Sequence, residues 1–229
     1  TDTLALPMEK YQTANPAHRA DTTLCVIGAL FAGMRYQGSG SSMITPTRLV
    51  SHKDAMDARG IRYLYRCGYR EGLHTAKSLP AAEDSAVLCA EAVAAAARCD
   101  TILLYLGLTD LTETEGSDRA DMALPADQLA LAEAIFRKKR PGQRIVVLLS
   151  GGSPVELPFE TCADAILWLG LPGQCGGEAG ARLLFGEANP SGKLAATWYR
   201  TYADVPYGAQ YSTRARELYK ESIYVGYRY

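Results

Sequence analysis

The sequence predicts an α/β fold: a three-layer sandwich in which a mostly parallel sheet of about six strands lies between helices. Two observations carry this. Strand-length apolar runs such as Ile102–Leu106 and Ile145–Leu149 are continuous rather than alternating, the pattern of strands covered on both faces. Segments with helical spacing and turn-rich loops alternate with those runs along the chain. At 229 residues the chain is long enough for one large domain or two small ones, with a sizeable core.

The elements follow in order. Residues 1–22 are polar, contain Pro7 and Pro16 and show no clean period, so they read as an N-terminal arm or linker. Leu24–Leu30 is a buried strand leading into a Gly-rich loop from Gly33 to Gly40. Ser51–Arg59 fits a short helix with Ser51 as N-cap. Ile61–Arg66 alternates as a strand. Glu83–Arg98 is Ala-rich, with a helical face of Val87, Leu88, Ala90, Val93, Ala94 and Ala97, and precedes strand Thr101–Leu106. After a polar loop, Thr109–Leu124, Pro125 opens a helix in its first turn, and the basic run Arg137–Arg140 suits its C-terminal end. Strand Arg144–Ser150, short strand Ala165–Leu169, helix Gly177–Phe185 and strand Lys193–Trp198 complete a domain over residues 23–200. Residues 201–229 are Tyr-rich and irregular, including Tyr211, and read as an extension of that domain.

Composition excludes several classes. With 24 basic and 25 acidic residues and no single-sign block, bulk charge offers nothing to nucleic acid or an anionic membrane. No apolar run approaches membrane-spanning length, and no signal-peptide pattern opens the chain, so the expected location is cytoplasmic. Six scattered cysteines without a C-x-x-C pair read as reduced thiols. His18, His52 and His74 are isolated surface or helix-face residues, so neither a metal nor a cofactor is expected.

In parallel sheets ligands bind beyond the carboxyl ends of the strands, so the loops after the strands hold the chemistry. The third strand exits into a loop with four acids and one arginine between Asp110 and Arg119. Gly116 allows positive φ and presents Glu115; Asp118 and Arg119 would pair with neighbours. Glu113 and Glu115, two apart, would point the same way in an extended loop, and a carboxylate neighbour raises one pKa. A solvated acidic loop is the competing reading.

The loop after the first strand, Arg35-Tyr36-Gln37-Gly38-Ser39-Gly40-Ser41-Ser42, fails as a dinucleotide fingerprint because position 43 is Met and no acid follows the second strand. No G-K-[ST] follows any glycine pair, and Gly151-Gly152-Ser153-Pro154-Val155 is not a nucleophile elbow, which leaves Ser153 as a turn residue.

At these loops the chain resembles the α/β-sandwich domain of family 3 glycoside hydrolases, the β-glucosidase and β-xylosidase group. The resemblance covers about Leu24 to Tyr229. It rests on Arg35–Ser42 with Thr45-Pro46, Glu113-Thr-Glu-Gly-Ser-Asp-Arg119, Leu124-Pro125 and Gly152-Ser-Pro-Val-Glu156. Leu171-Pro-Gly-Gln174, Asn189-Pro-Ser-Gly-Lys-Leu194 and Glu221–Tyr229 follow in family order.

It implies a retaining hydrolase of β-linked glucosides or xylosides, with Glu115 as catalytic acid/base and Glu113 in reserve. It also implies Arg35, Tyr36, Gln37, Ser41, Ser42, Asp118 and Arg119 on substrate loops. The partner it implies is a (β/α)8 barrel supplying an Asp nucleophile. Such mechanisms use two carboxyl groups about 5–5.5 Å apart, and a partly desolvated Glu with raised pKa suits the donor role. A barrel of roughly 250 residues does not fit beside this domain in 229 residues. The chain therefore reads as an excised or separately encoded domain, inactive alone. A non-catalytic carbohydrate-binding module is the alternative. The tyrosine-rich surface gives a route to self-association.

Overall fold

The computed structural model describes residues 4–12, 24–70, 84–208 and 218–228 of the chain; His18, His74, Glu83 and Tyr211 lie outside them. Strands β1 (Leu24–Ile27), β2 (Leu64–Arg66), β3 (Thr101–Gly107), β4 (Arg144–Ser150) and β5 (Ala165–Gly170) form one sheet in the order β2-β1-β3-β4-β5. Every neighbouring pair is parallel, and β3 and β4 stay in register from Thr101 opposite Arg144 to Gly107 opposite Ser150.

The helices are α1 (His52–Ala58), α2 (Ser85–Ala96), α3 (Ala126–Arg137) and α4 (Gly176–Leu184). α1 packs on α4, and α2 packs on α3. The period-2 alternation of β3 shows how the sheet feeds two cores. Ile102, Leu104 and Leu106 join Ala92 and Val93 of α2 and Leu131 and Ile135 of α3. Leu103 and Tyr105 join Ala55 and Met56 of α1 and Ala181 and Leu184 of α4. Full burial of each large side chain contributes about 1.5–3 kcal/mol, so the burial of these strand residues is a large favourable contribution.

Local chemistry sets the helix ends. Ser51 caps α1 in a reciprocal capping box: the Asp54 amide donates to Ser51 Oγ at 3.1 Å, and the Ser51 amide donates to Asp54 Oδ2 at 2.9 Å. α4 reaches α1 because its facing positions are glycines. A methyl group at Gly180 would lie 2.5 Å from His52 Cε1, so only hydrogen fits. His52 is a helix-face residue but a buried one, packed on the Tyr105 ring at 5.1 Å between centroids.

Several expectations change. The sheet has five strands among the described residues, not about six: Lys193–Trp198 is irregular chain, exposed from Ser191 to Thr197. Leu194 is more than half exposed, and within the segment it is Trp198 that reaches the core, its ring 5.1 Å from that of Trp168 on β5. The face of α2 is Leu88, Ala92, Val93, Ala95 and Ala96, whereas Val87, Ala90, Ala94 and Ala97 are exposed. A helix that is apolar all round has no period to read, and alanine gains little from burial on either side. Pro125 stands just before the first residue of α3, not within its first turn. In the N-terminal segment, Leu4, Leu6 and Tyr11 are buried, the Leu6 amide donates to Leu184 O at 2.7 Å, and the Tyr11 hydroxyl bonds Thr101 Oγ1 at 3.0 Å. No helix among the described residues is long and apolar enough to cross a membrane.

Candidate functional site

The strand order reverses direction at β1: β2 lies on one side and β3 on the other. This is the topological switch point at which open α/β sheets form a crevice beyond their carboxyl ends. The loops after β1, β3 and β4 meet there.

Arg35 is the pin. Its side chain is 2 % exposed; its Nη2 donates to the Glu113 carbonyl at 2.9 Å and lies 3.2 Å from Glu113 Oε2. Burial pulls the guanidinium pKa down, and the charges of Glu113 and Asp110 oppose that. The Glu113 carboxylate also accepts from the Gly152 amide at 2.8 Å and from the Ser153 hydroxyl. Arg119 Nη2 donates to Ser153 Oγ at 3.2 Å and to the Pro154 carbonyl at 3.0 Å. A helical turn sets the height of Glu113, its amide donating to Thr109 O at 2.9 Å. One carboxylate thus ties three loops together.

Glu115 lies two residues away in a different environment. Thr114 and Ser117 pair across a tight turn, and Gly116 has φ +77°, the value a type II turn requires at its third position. The turn sends the exposed Glu115 side chain toward the β1 loop, where its Oε2 accepts from the Ser41 amide at 2.5 Å. The two carboxylates therefore do not point the same way, because the chain reverses between them instead of running extended. Ser41, through its hydroxyl and its amide, holds the Glu115 carboxyl below the ordinary value, with slight desolvation opposing. That is the reverse of the rise expected of a desolvated donor, since no described residue covers the group.

The remaining loop residues divide between structure and surface. Gln37 Nε2 donates to the Tyr36 hydroxyl at 2.9 Å, and Gln37 Oε1 accepts from the Ile44 amide at 2.7 Å, which rigidifies the β1 loop. The Tyr36 carbonyl accepts from the Gly173 amide at 2.9 Å. Ser41 and Ser42 are exposed. Asp118 and Arg119 line a pocket of about 780 Å³ whose other walls include Tyr199, Tyr202, Tyr207 and Tyr219. Reading the sequence missed Gly152 and Ser153 as partners of Glu113; the only signal was a Gly-Gly-Ser run at the end of a strand bordering β3. Among the described residues, no group of three His, Cys, Asp or Glu side chains is placed to hold a metal ion.

Fold and loops together define a doubly wound α/β domain that presents the exposed Glu115 carboxylate over a braced crevice. The chain belongs to the glycosyl hydrolase family 3 C-terminal domain family, whose model matches residues 5–227. It is 37% identical over 230 residues to an exo-α-(1→6)-L-arabinopyranosidase of Bifidobacterium longum, covering all of this chain and 29% of that protein. It is 39% identical over 214 residues to thermostable β-glucosidase B of Acetivibrio thermocellus, covering 90% of this chain and 26% of that one. The crystal structure of the Bifidobacterium adolescentis GH3 β-glucosidase superposes with a TM-score of 0.77 at 35% identity, covering 96% of this chain and 31% of the other. The chain thus spans under a third of each of these relatives.

Proposed function

We propose that this domain supplies the acid/base half of a retaining glycosidase site, with Glu115 as the proton donor and acceptor. The observation that supports it is the contrast within one loop: Glu115 is exposed and held through one oxygen, whereas the Glu113 carboxylate is occupied by Arg35, Gly152 and Ser153. A group so occupied holds loops; a group with a free oxygen can transfer a proton.

In the proposed reaction an Asp carboxylate on a separate (β/α)8 barrel attacks the anomeric carbon. The bond to the glycosidic oxygen breaks as Glu115 gives that oxygen its proton. The Glu115 carboxylate then takes a proton from the water that attacks the glycosyl ester, which releases the sugar and restores both carboxyl groups. Protonating Glu115 requires a higher pKa than Ser41 imposes in this chain. Desolvation by the sugar and repulsion by the barrel carboxylate would supply that rise.

The substrate class is a terminal sugar with an equatorial leaving group. That description covers β-D-glucosides and β-D-xylosides, and also α-L-arabinopyranosides, which share the equatorial leaving group but carry an axial 4-hydroxyl.

Without the barrel's Asp nucleophile no glycosyl-enzyme can form, so the isolated chain is expected to be inactive. Mixing the chain with a separately produced barrel should restore hydrolysis, and Glu115→Gln should remove it. Robust turnover by the chain alone would refute the division of labour. A second reading, a carbohydrate-binding module, draws on the tyrosine-lined pocket beside Asp118 and Arg119. Calorimetry with glucose, xylose and cellobiose separates the two, since binding without a barrel favours the module.

A further inference from the structure

The loop after β1 does more than border the crevice. Its Gly40-Ser41 step meets Glu115 directly, and it does so apart from the brace below. The brace uses Arg35, five residues earlier, and Glu113, two residues before Glu115. The upper contact uses the Ser41 amide and Glu115 Oε2 at 2.5 Å.

Gly40 makes that contact sterically possible. It has φ +89°, and a Cβ there would lie 2.5 Å from both Cβ and Oε2 of Glu115. Any L-residue other than glycine would carry both a backbone strain and a collision with the carboxylate.

We propose that Gly40 and Ser41 are the positioning element of Glu115: the Ser41 amide engages Oε2 and leaves Oε1 as the oxygen through which the proton passes. The inference rests on the acid/base reading of Glu115. Its chemistry follows from the one-way character of a backbone amide, which donates and never accepts. When Glu115 is ionised, either oxygen could receive the donor, and the loop geometry selects Oε2. When Glu115 is protonated, the amide still faces Oε2, so the hydrogen resides on Oε1. The donor oxygen is therefore chosen before substrate arrives, and the carboxyl plane is oriented by a rigid backbone group. A residue acting this way touches no reacting atom; Gly40 and Ser41 act through Glu115.

The direct test follows the Ser41 amide proton and the Glu115 carboxyl carbon by NMR through an acid titration of the 229-residue chain. The Ser41 amide is expected to titrate with the Glu115 midpoint and to become flat in Glu115→Gln. Gly40→Ala should raise the Glu115 pKa toward its ordinary value and uncouple the Ser41 amide. Ser41→Ala keeps the amide and should move Glu115 only part of the way. A Ser41 amide that stays flat through the Glu115 titration in the unaltered chain overturns the proposal, and that result stands whether or not Gly40→Ala folds.

A second measurement uses the complex with a barrel. Gly40→Ala should slow methyl β-D-glucoside, whose leaving group needs a proton, about tenfold more than 2,4-dinitrophenyl β-D-glucoside, whose leaving group does not. Equal losses on both substrates would also overturn it. If Glu115→Gln retains full activity in that complex while the Ser41 coupling persists, the acid/base reading fails and the contact remains only structural.

Discussion

Glu113 and Glu115 stand two residues apart on one loop and occupy opposite environments. Glu113 faces inward, where a buried guanidinium, a backbone amide and a hydroxyl fill its acceptor sites. Glu115 faces outward on a glycine turn, anchored through a single oxygen. On the proposed reading, the same side chain serves as a strut or a proton carrier according to how many of its lone pairs the protein uses. On that reading, rigidity and reactivity in this crevice are assigned to different carboxylates.

Glu115→Gln should produce the largest effect and only on chemistry. In a barrel-complemented enzyme it should reduce hydrolysis about 10²–10⁴-fold, the usual worth of a positioned general acid/base. Its unfolding free energy should change by less than about 0.5 kcal/mol, as for other exposed sites. A comparable loss of stability would show that the outward carboxylate also holds the fold.

Glu113→Ala should reverse that signature. It removes the carboxylate partner of Arg35 in a site with almost no solvent access and leaves the guanidinium its carbonyl contact; breaking such a pair costs about 3 kcal/mol, which urea denaturation would read. An unchanged unfolding midpoint would show that the brace does not hold.

A third probe contrasts the exposed carboxylate with the deeply buried His52. Burial lowers the His52 pKa to about 4, against 6.5 in the unfolded chain. Because the folded value is depressed, the unfolded chain takes up the proton first as pH falls. His52 therefore removes stability progressively from about pH 6.5 down to about 4, by roughly 3 kcal/mol in full. His52→Gln should flatten that part of the stability profile relative to the unaltered chain. Identical profiles would place His52 in contact with water.

The smallest expected effect concerns the tyrosine-rich segment. Tyr219 and Tyr224 are exposed beside Leu218 and Ile223. Sedimentation should show weak self-association of the isolated chain that Tyr219→Ser reduces. A strictly monomeric chain at high concentration would remove this surface from consideration.

How far the sequence reveals this molecule depends on whether the signal is local. Arg144–Ser150 is legible as a strand because a continuous apolar run has no other use at that length. The α1 cap is legible because Ser51 and Asp54 are neighbours. The buried face of α2 is not, since alanines on every side leave the choice to α3 and the sheet. Lys193–Trp198 has the residues of a strand but no sheet edge receives it.

The site divides the same way. Gly116 marks the turn that presents Glu115, and that is local. The Gly152 and Ser153 contacts with Glu113 arise because β4 lies next to β3, and the Ser41 contact arises because β1 lies on the other side. Loop partners set by strand order cannot be read from spacing along the chain.

The most direct measurement compares Glu115→Gln and Glu113→Gln in the barrel-complemented enzyme on 2,4-dinitrophenyl and methyl β-D-glucosides. The expected result is that Glu115→Gln releases a stoichiometric burst of dinitrophenolate yet fails on the methyl glucoside, whereas Glu113→Gln lowers both rates by the same factor. A burst with Glu113→Gln, and parallel losses with Glu115→Gln, would contradict the assignment of the two carboxylates.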